Sequence, residues 1–188
     1  MATDIDISSN ALQMIGATSI SSFTDPGAGA AVAAALYEPL LEAMLTTNYW
    51  RFTIKQQQLN RLSAAPLNGF QYAFQIPTDS LKIERVDPRS PYNIFEDKLY
   101  SNQTAIEVDY VYRPPTSAFP SYFVIALTYL LASEFSLSVT DDPQKNAMYA
   151  QKHLAALASA FAADAQQYPQ TPIQDQPFTD VRNGGSFF

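Results

Sequence analysis

The run from Thr24 to Phe52 constrains this chain more than any other: Thr-Asp-Pro, a long Ala/Leu-rich series, then Asn-Tyr-Trp-Arg-Phe. Asp25 can accept hydrogen bonds from the free N–H groups of a helix start, and Pro26 suits a first helical position. Val32, Leu36, Leu40 and Met44 recur every four residues, with Tyr37, Leu41 and Leu45 as a second row. So broad an apolar stripe predicts a helix packed on more than one side. Pro39 inside it removes one main-chain hydrogen bond and predicts a kink. The only tryptophan, Trp50, stands where the helical period ends and an alternating one begins. It is expected to pin a helical bundle to a β region.

A shorter helix is expected from about Asp4 to Ile15, with Ile7, Ala11, Met14 and Ile15 inward and Gly16 as its left-handed stop. After Trp50, Arg51–Leu62 reads as extended or mixed, and residues 63–69 form a turn cluster. Phe70, Tyr72, Phe74 and Ile76 alternate strictly before Pro77, and Leu81 and Ile83 mark a strand ending at Asp87-Pro88. Ile94–Tyr100 reads as a tight hairpin turning at Asp97. Ile106, Val108, Tyr110 and Tyr112 share one strand face, with Ala105, Glu107, Asp109 and Val111 on the other. Past Pro114-Pro115 the pattern is helical again, with Tyr122–Phe135 apolar nearly all round. Asp142-Pro143 opens a last helix to about Gln167, with a stripe of Ala147, Ala150, Leu154, Leu157, Phe161 and Ala165.

The predicted fold class is therefore mainly α with a small β insertion: a bundle of about four helices, a small antiparallel sheet and an extended C-terminal tail. The boundaries are residues 1–50 for the N-terminal helices, 51–113 for the insertion, 114–167 for the C-terminal helices and 168–188 for the tail. That tail has no period, and its Tyr168, Pro169, Pro172, Phe178, Phe187 and Phe188 suggest an extended segment that orders on a partner.

Composition removes several chemistries. With no cysteine, disulfide scaffolds and thiolate metal or redox sites are excluded. His153 is the only histidine, so any histidine-dependent triad or metal site rests on it alone. Its place on an alanine-rich helix reads as a solvated or boundary position. Gly27-Ala28-Gly29 follows no strand and lacks the third glycine of a dinucleotide fingerprint. Glu107 and Asp109 share a strand face, a spacing open to glycoside chemistry but ordinary for a wet sheet surface. Neither a cofactor nor a metal is expected.

The acidic start lacks the pattern of a secretory signal. The uncharged run Pro114–Ser133 narrows to Tyr122–Ala132, read as a core helix and not a membrane span. Residues 1–50 carry five acids and no Lys or Arg, residues 51–113 are at +1 and residues 114–188 at −3, for a net charge of −7. No basic footprint for gripping nucleic acid is present.

Taken together, the segments resemble the head-to-tail adaptor (connector) family of tailed bacteriophages, the tail tubular protein A group included, over roughly Ala11 to Gln167. The carriers are Ala11-Leu12 to Ile15-Gly16-Ala17 with Ile20; Asp25-Pro26; Leu36-Tyr37-Glu38-Pro39 with Leu45 and Trp50-Arg51-Phe52; residues 72–81; and Phe123 with Ala126-Leu127 and Leu131-Ala132. Gly27, Gly29 and the aromatic tail have no counterpart in the pattern. The resemblance implies a non-enzymatic virion protein, made in the host cytoplasm and residing at the head–tail junction. It implies a homo-oligomeric, dodecameric ring that binds the portal protein above and a tail protein below, and extends the channel for genome ejection. DNA would pass without specific binding, which gives acidic residues such as Glu38 and Glu42 a place on the channel wall. Two other classes compete: a monomeric carbohydrate- or peptide-binding module using exposed sheet aromatics, and a cell-wall hydrolase using Glu107 or Asp109.

Overall fold

A computed structural model describes residues 2–64 and 66–167. The first helix, α1 (Asp4–Met14), is closed at both ends by its own sequence. The Asp6 amide donates to Thr3 Oγ1 at 3.1 Å while Asp6 Oδ2 accepts from the Thr3 amide at 2.9 Å, a reciprocal capping box. At the other end Gly16 takes φ +84°, so that Ala17 N–H reaches Leu12 O (2.9 Å) and Gly16 N–H reaches Gln13 O (3.0 Å). These two bonds satisfy carbonyls that the helix leaves free.

The long helix α2 (Ala28–Thr47) starts later than Asp25-Pro26 suggests. Gly27 is its cap, with no side-chain hydrogen bond, because Asp25 is used elsewhere. Its Oδ2 accepts from the amides of Ser21 (2.7 Å) and Ser22 (3.0 Å) and closes the preceding loop. Those amide bonds hold the Asp25 carboxyl below its usual range. Gly29 lets α2 approach α1, since a Cβ there would lie 3.2 Å from Leu12 Cδ2. The buried side of α2 follows Ala33, Tyr37, Leu41 and Leu45, with Val32, Leu36 and Leu40 flanking it half-buried and Pro39 on the exposed side.

Between the helix pairs the described residues form seven strands: β1 (Ile54–Gln58), β2 (Asn60–Arg61), β3 (Tyr72–Gln75), β4 (Ser80–Asp87), β5 (Tyr92–Phe95), β6 (Lys98–Ser101) and β7 (Glu107–Tyr112). They form two antiparallel sheets, in the orders β1-β7-β4 and β2-β3-β6-β5. In the first, Val108 lies opposite both Gln57 and Val86; in the second, Phe74 lies opposite Leu99. Leu59, Phe74, Val86, Leu99, Ile106, Val108 and Tyr110 close a core between the sheets.

This overturns the expectation of a mainly α protein with one small sheet. Four α-helices are present among the described residues, α3 (Ser121–Thr140) and α4 (Pro143–Ala165) completing the set, but these residues form a mixed α and β fold with two sheets. The physical cause is the Lys55–Gln58 run, which is strand at a sheet edge and exposed on both faces. Such a strand carries no apolar period. Leu59 then crosses from one sheet to the other, its amide donating to Ile106 O at 2.8 Å.

The helices close a second core that includes Ile7, Tyr37, Leu41, Trp50, Phe123, Leu127, Leu131 and Phe135. Strand β7 belongs to both cores: Val108 and Tyr110 face the sheet sandwich, while Val111 on the opposite face packs into the helical core. Helix α4 begins as expected, Asp142 Oδ1 accepting from the amides of Gln144 and Lys145 at 3.0 Å each. Its packed side differs from the expected stripe. Leu154 is 65% exposed, whereas Tyr149, Ala160 and Asp164 are buried. An alanine-rich helix offers apolar atoms all round, so the neighbour decides which face is used. By length and composition α2 and α3 could each cross a membrane; in this fold they pack against each other and against α1, and α3 also packs against α4.

Candidate functional site

Arg113, just after β7, reaches back to two acids on different helices. Its guanidinium is bidentate on Glu38 of α2, through Nε–Oε1 and an Nη2–Oε2 bond of 2.9 Å, and lies 3.6 Å from Asp4 of α1. Asp4 Oδ1 also accepts from the Tyr37 hydroxyl at 3.1 Å and from Thr116 Oγ1. The Glu38 bonds raise the Arg113 pKa, and burial, reinforced by the Asp4 charge, pushes the Tyr37 hydroxyl well above its ordinary range. The junction ties the helices to the end of the sheet. It gives Glu38 a role inside the fold and leaves Glu42, which is exposed, as the freer carboxylate of the two expected on a channel wall.

A buried acid was not expected from sequence. Asp164 on α4 is 3% exposed and accepts from the Tyr122 hydroxyl (2.8 Å) and the Arg51 amide (3.1 Å). It thereby fastens α4 to α3 and to the turn after Trp50. Burial and the bond to Asp164 raise the Tyr122 pKa.

The candidates for catalysis are dispersed. Glu107 is exposed and Asp109 accepts from Gln56 Nε2 at 2.9 Å, both as wet-face residues of β7. His153 is a boundary residue whose Nδ1 lies 2.9 Å from Ala126 O. It borders a cavity otherwise lined by Leu40, Ala43, Met44, Thr47, Leu130 and Leu157, with no second titratable group. Among the described residues no cluster of three or more His, Asp or Glu could hold a metal. Tyr168, Pro169, Pro172, Phe178, Phe187 and Phe188 lie outside the described residues.

The surface feature that stands out is β5. It forms an outer edge of the second sheet, and all four residues are exposed, with Tyr92 at 42%, Ile94 at 41% and Phe95 at 52%. Beside it runs a shallow groove of about 360 Å³ lined by Leu62, Pro66, Leu67, Phe95 and Tyr100. Sequence periodicity located the hairpin but not its exposure. Edge position depends on which strands pair, and nothing local records it.

No family model matches the chain, and no curated protein is similar to it in sequence.

Proposed function

We propose that the protein is a structural virion subunit that joins the capsid portal to the tail as an oligomeric ring and extends the DNA channel. The observation carrying this reading is the order and spacing of the segments that resemble the head-to-tail adaptors. In this fold they are the stop of α1, the α2–Trp50 junction, the β3–β4 region and the buried side of α3. Two further features support it. The net charge of −7 suits a channel along which DNA slides without sticking. The helices and sheets share β7, with Val111 in the helical core and Val108 and Tyr110 in the sheet core, which favours a rigid building block over a hinged one.

The direct test mixes the purified protein with DNA-filled, portal-bearing capsids and images the portal vertex. Ring density beneath the portal is expected. A protein that stays off such capsids under all conditions would end the adaptor reading. Truncation after Gln167 is expected to leave the melting temperature nearly unchanged while abolishing attachment, since the aromatic tail is proposed as the anchor. Glu42→Lys tests the channel wall, with stronger DNA retention that weakens as salt rises. Glu107→Gln with Asp109→Asn is expected to assemble normally and to change no turnover.

Exposed Tyr92 and Phe95 favour the binding-module reading as the second choice. It requires a monomer whose melting temperature rises with a carbohydrate or peptide ligand, an outcome the adaptor reading does not give.

A further inference from the structure

We propose that β5 pairs antiparallel with β5 of a second copy of this chain, about a two-fold axis through Asn93. Among the described residues no strand pairs with the edge of β5 away from β6, so its outward main-chain groups are available to extend the ladder. Folded monomers blunt such edges with shortness, lysine, proline or a bulge. β5 is short, at four residues, and follows Pro91, but Tyr92-Asn93-Ile94-Phe95 itself contains no lysine, proline or bulge, and the register irregularities lie in β4. Three large apolar side chains stand exposed on it.

The charges around β5 make it complementary to itself. Arg89 precedes it, is exposed and makes no ion pair among the described residues. Glu96 and Asp97 follow it in the hairpin turn, two carboxylates near the single Lys98 at 3.8 and 3.7 Å. A segment that is positive before an apolar strand and negative after it matches an antiparallel copy of itself. Tyr92 and Ile94 meet on either side of a central Asn93 pair, and opposite charges meet at both ends. Parallel pairing would set like charges side by side.

Ladder geometry limits the register. Facing residues in an antiparallel pair alternate between hydrogen-bonded and non-bonded sites, so a two-fold axis must pass through a residue facing its own copy. Centring on Asn93 sets Tyr92 opposite Ile94 and brings Arg89 of each copy alongside Glu96 and Asp97 of the other. Centring on Ile94 would face Glu96 with Tyr92 and leave Arg89 beyond the acids. The contact is isologous and therefore separate from any head-to-tail interface of a cyclic ring. It does not depend on the adaptor reading.

The absence of cysteine allows a test without background. In the full-length chain, Asn93→Cys is expected to form a disulfide-linked dimer on mild oxidation, while Gln57→Cys on the exposed β1 edge does not. Sedimentation velocity should show a concentration-dependent dimer that Ile94→Lys abolishes with the melting temperature unchanged. Arg89→Glu should weaken it, and adding Glu96→Lys should restore it. The proposal is overturned by a monomer at every concentration, by a dimer that Ile94→Lys leaves intact, or by cross-linking of Asn93→Cys only when mixed with Gln57→Cys, which would mean a head-to-tail contact.

Discussion

The Trp50 indole N–H donates to the Met44 main-chain carbonyl at 2.9 Å, with the whole side chain removed from solvent. Met44 lies near the end of α2, where helix carbonyls lack partners within the helix, so this bond acts as a side-chain cap from six residues ahead. The ring meets Phe123 edge-on at 5.2 Å between centroids and Phe161 at 4.8 Å, which joins α2, α3 and α4 at one point. Trp50→Ala is therefore expected to cost about 3–5 kcal/mol. Trp50→Phe should cost less, leaving chiefly the Met44 carbonyl unpaired, about 1–3 kcal/mol. Urea denaturation of both variants checks this, and an unmoved midpoint in Trp50→Ala would contradict the pinning role.

Arg113 and Glu38 are expected to be energetically coupled. Glu38 retains 45% side-chain exposure, so solvent discounts the pair, and the coupling should be about 1 kcal/mol despite its bidentate geometry. A double-mutant cycle of Arg113→Met and Glu38→Gln measures it. Zero coupling would reduce the junction to a packing contact.

Alkaline pH should weaken the fold through Tyr37 and Tyr122. Both hydroxyls have raised pKa values in the native state, first because burial disfavours the phenolate and then because each lies against a carboxylate, Asp4 or Asp164. In the unfolded chain tyrosine ionises at about 10. Above that pH the unfolded chain loses protons that the folded protein keeps, so stability falls as pH rises. The contribution is complete below the unfolded value and is lost as pH climbs toward the native ones. Tyr37→Phe with Tyr122→Phe should flatten the alkaline limb of a stability–pH curve, and an equally steep limb would count against these two residues as its source.

Asp142→Ala should cost about 1 kcal/mol by leaving the amides of Gln144 and Lys145 without their acceptor. Asp142→Asn should retain most of that stability. The comparison by thermal melting separates hydrogen bonding at the cap from charge.

How much of this was legible in the sequence depended on the range of the interaction. The Gly16 stop of α1, the Asp142-Pro143 start of α4, the hairpin turning at Asp97 and the alternation of β7 were all readable, because each is set by residues within a few positions of one another. Asp25-Pro26 carried the same local signal as Asp142-Pro143, yet its carboxylate turned back to Ser21 and Ser22. A cap residue with two competing sets of amides is decided by the path of the loop. The Glu42 and tail assignments were drawn from charge and composition, and they await the capsid experiments.

The sequence by itself determined where the helices and most of the strands lie, since apolar period and turn chemistry act through neighbouring residues. Tertiary structure alone decided that seven strands divide into two sheets, with the polar Lys55–Gln58 run recruited as an edge. It also decided which side of α4 is buried, that Glu38 meets Arg113, 75 positions away, and that β5 lies open at a sheet edge. Each of these depends on which distant segment arrives as a neighbour. Burial and pairing energies of that kind are settled only when the chain closes on itself.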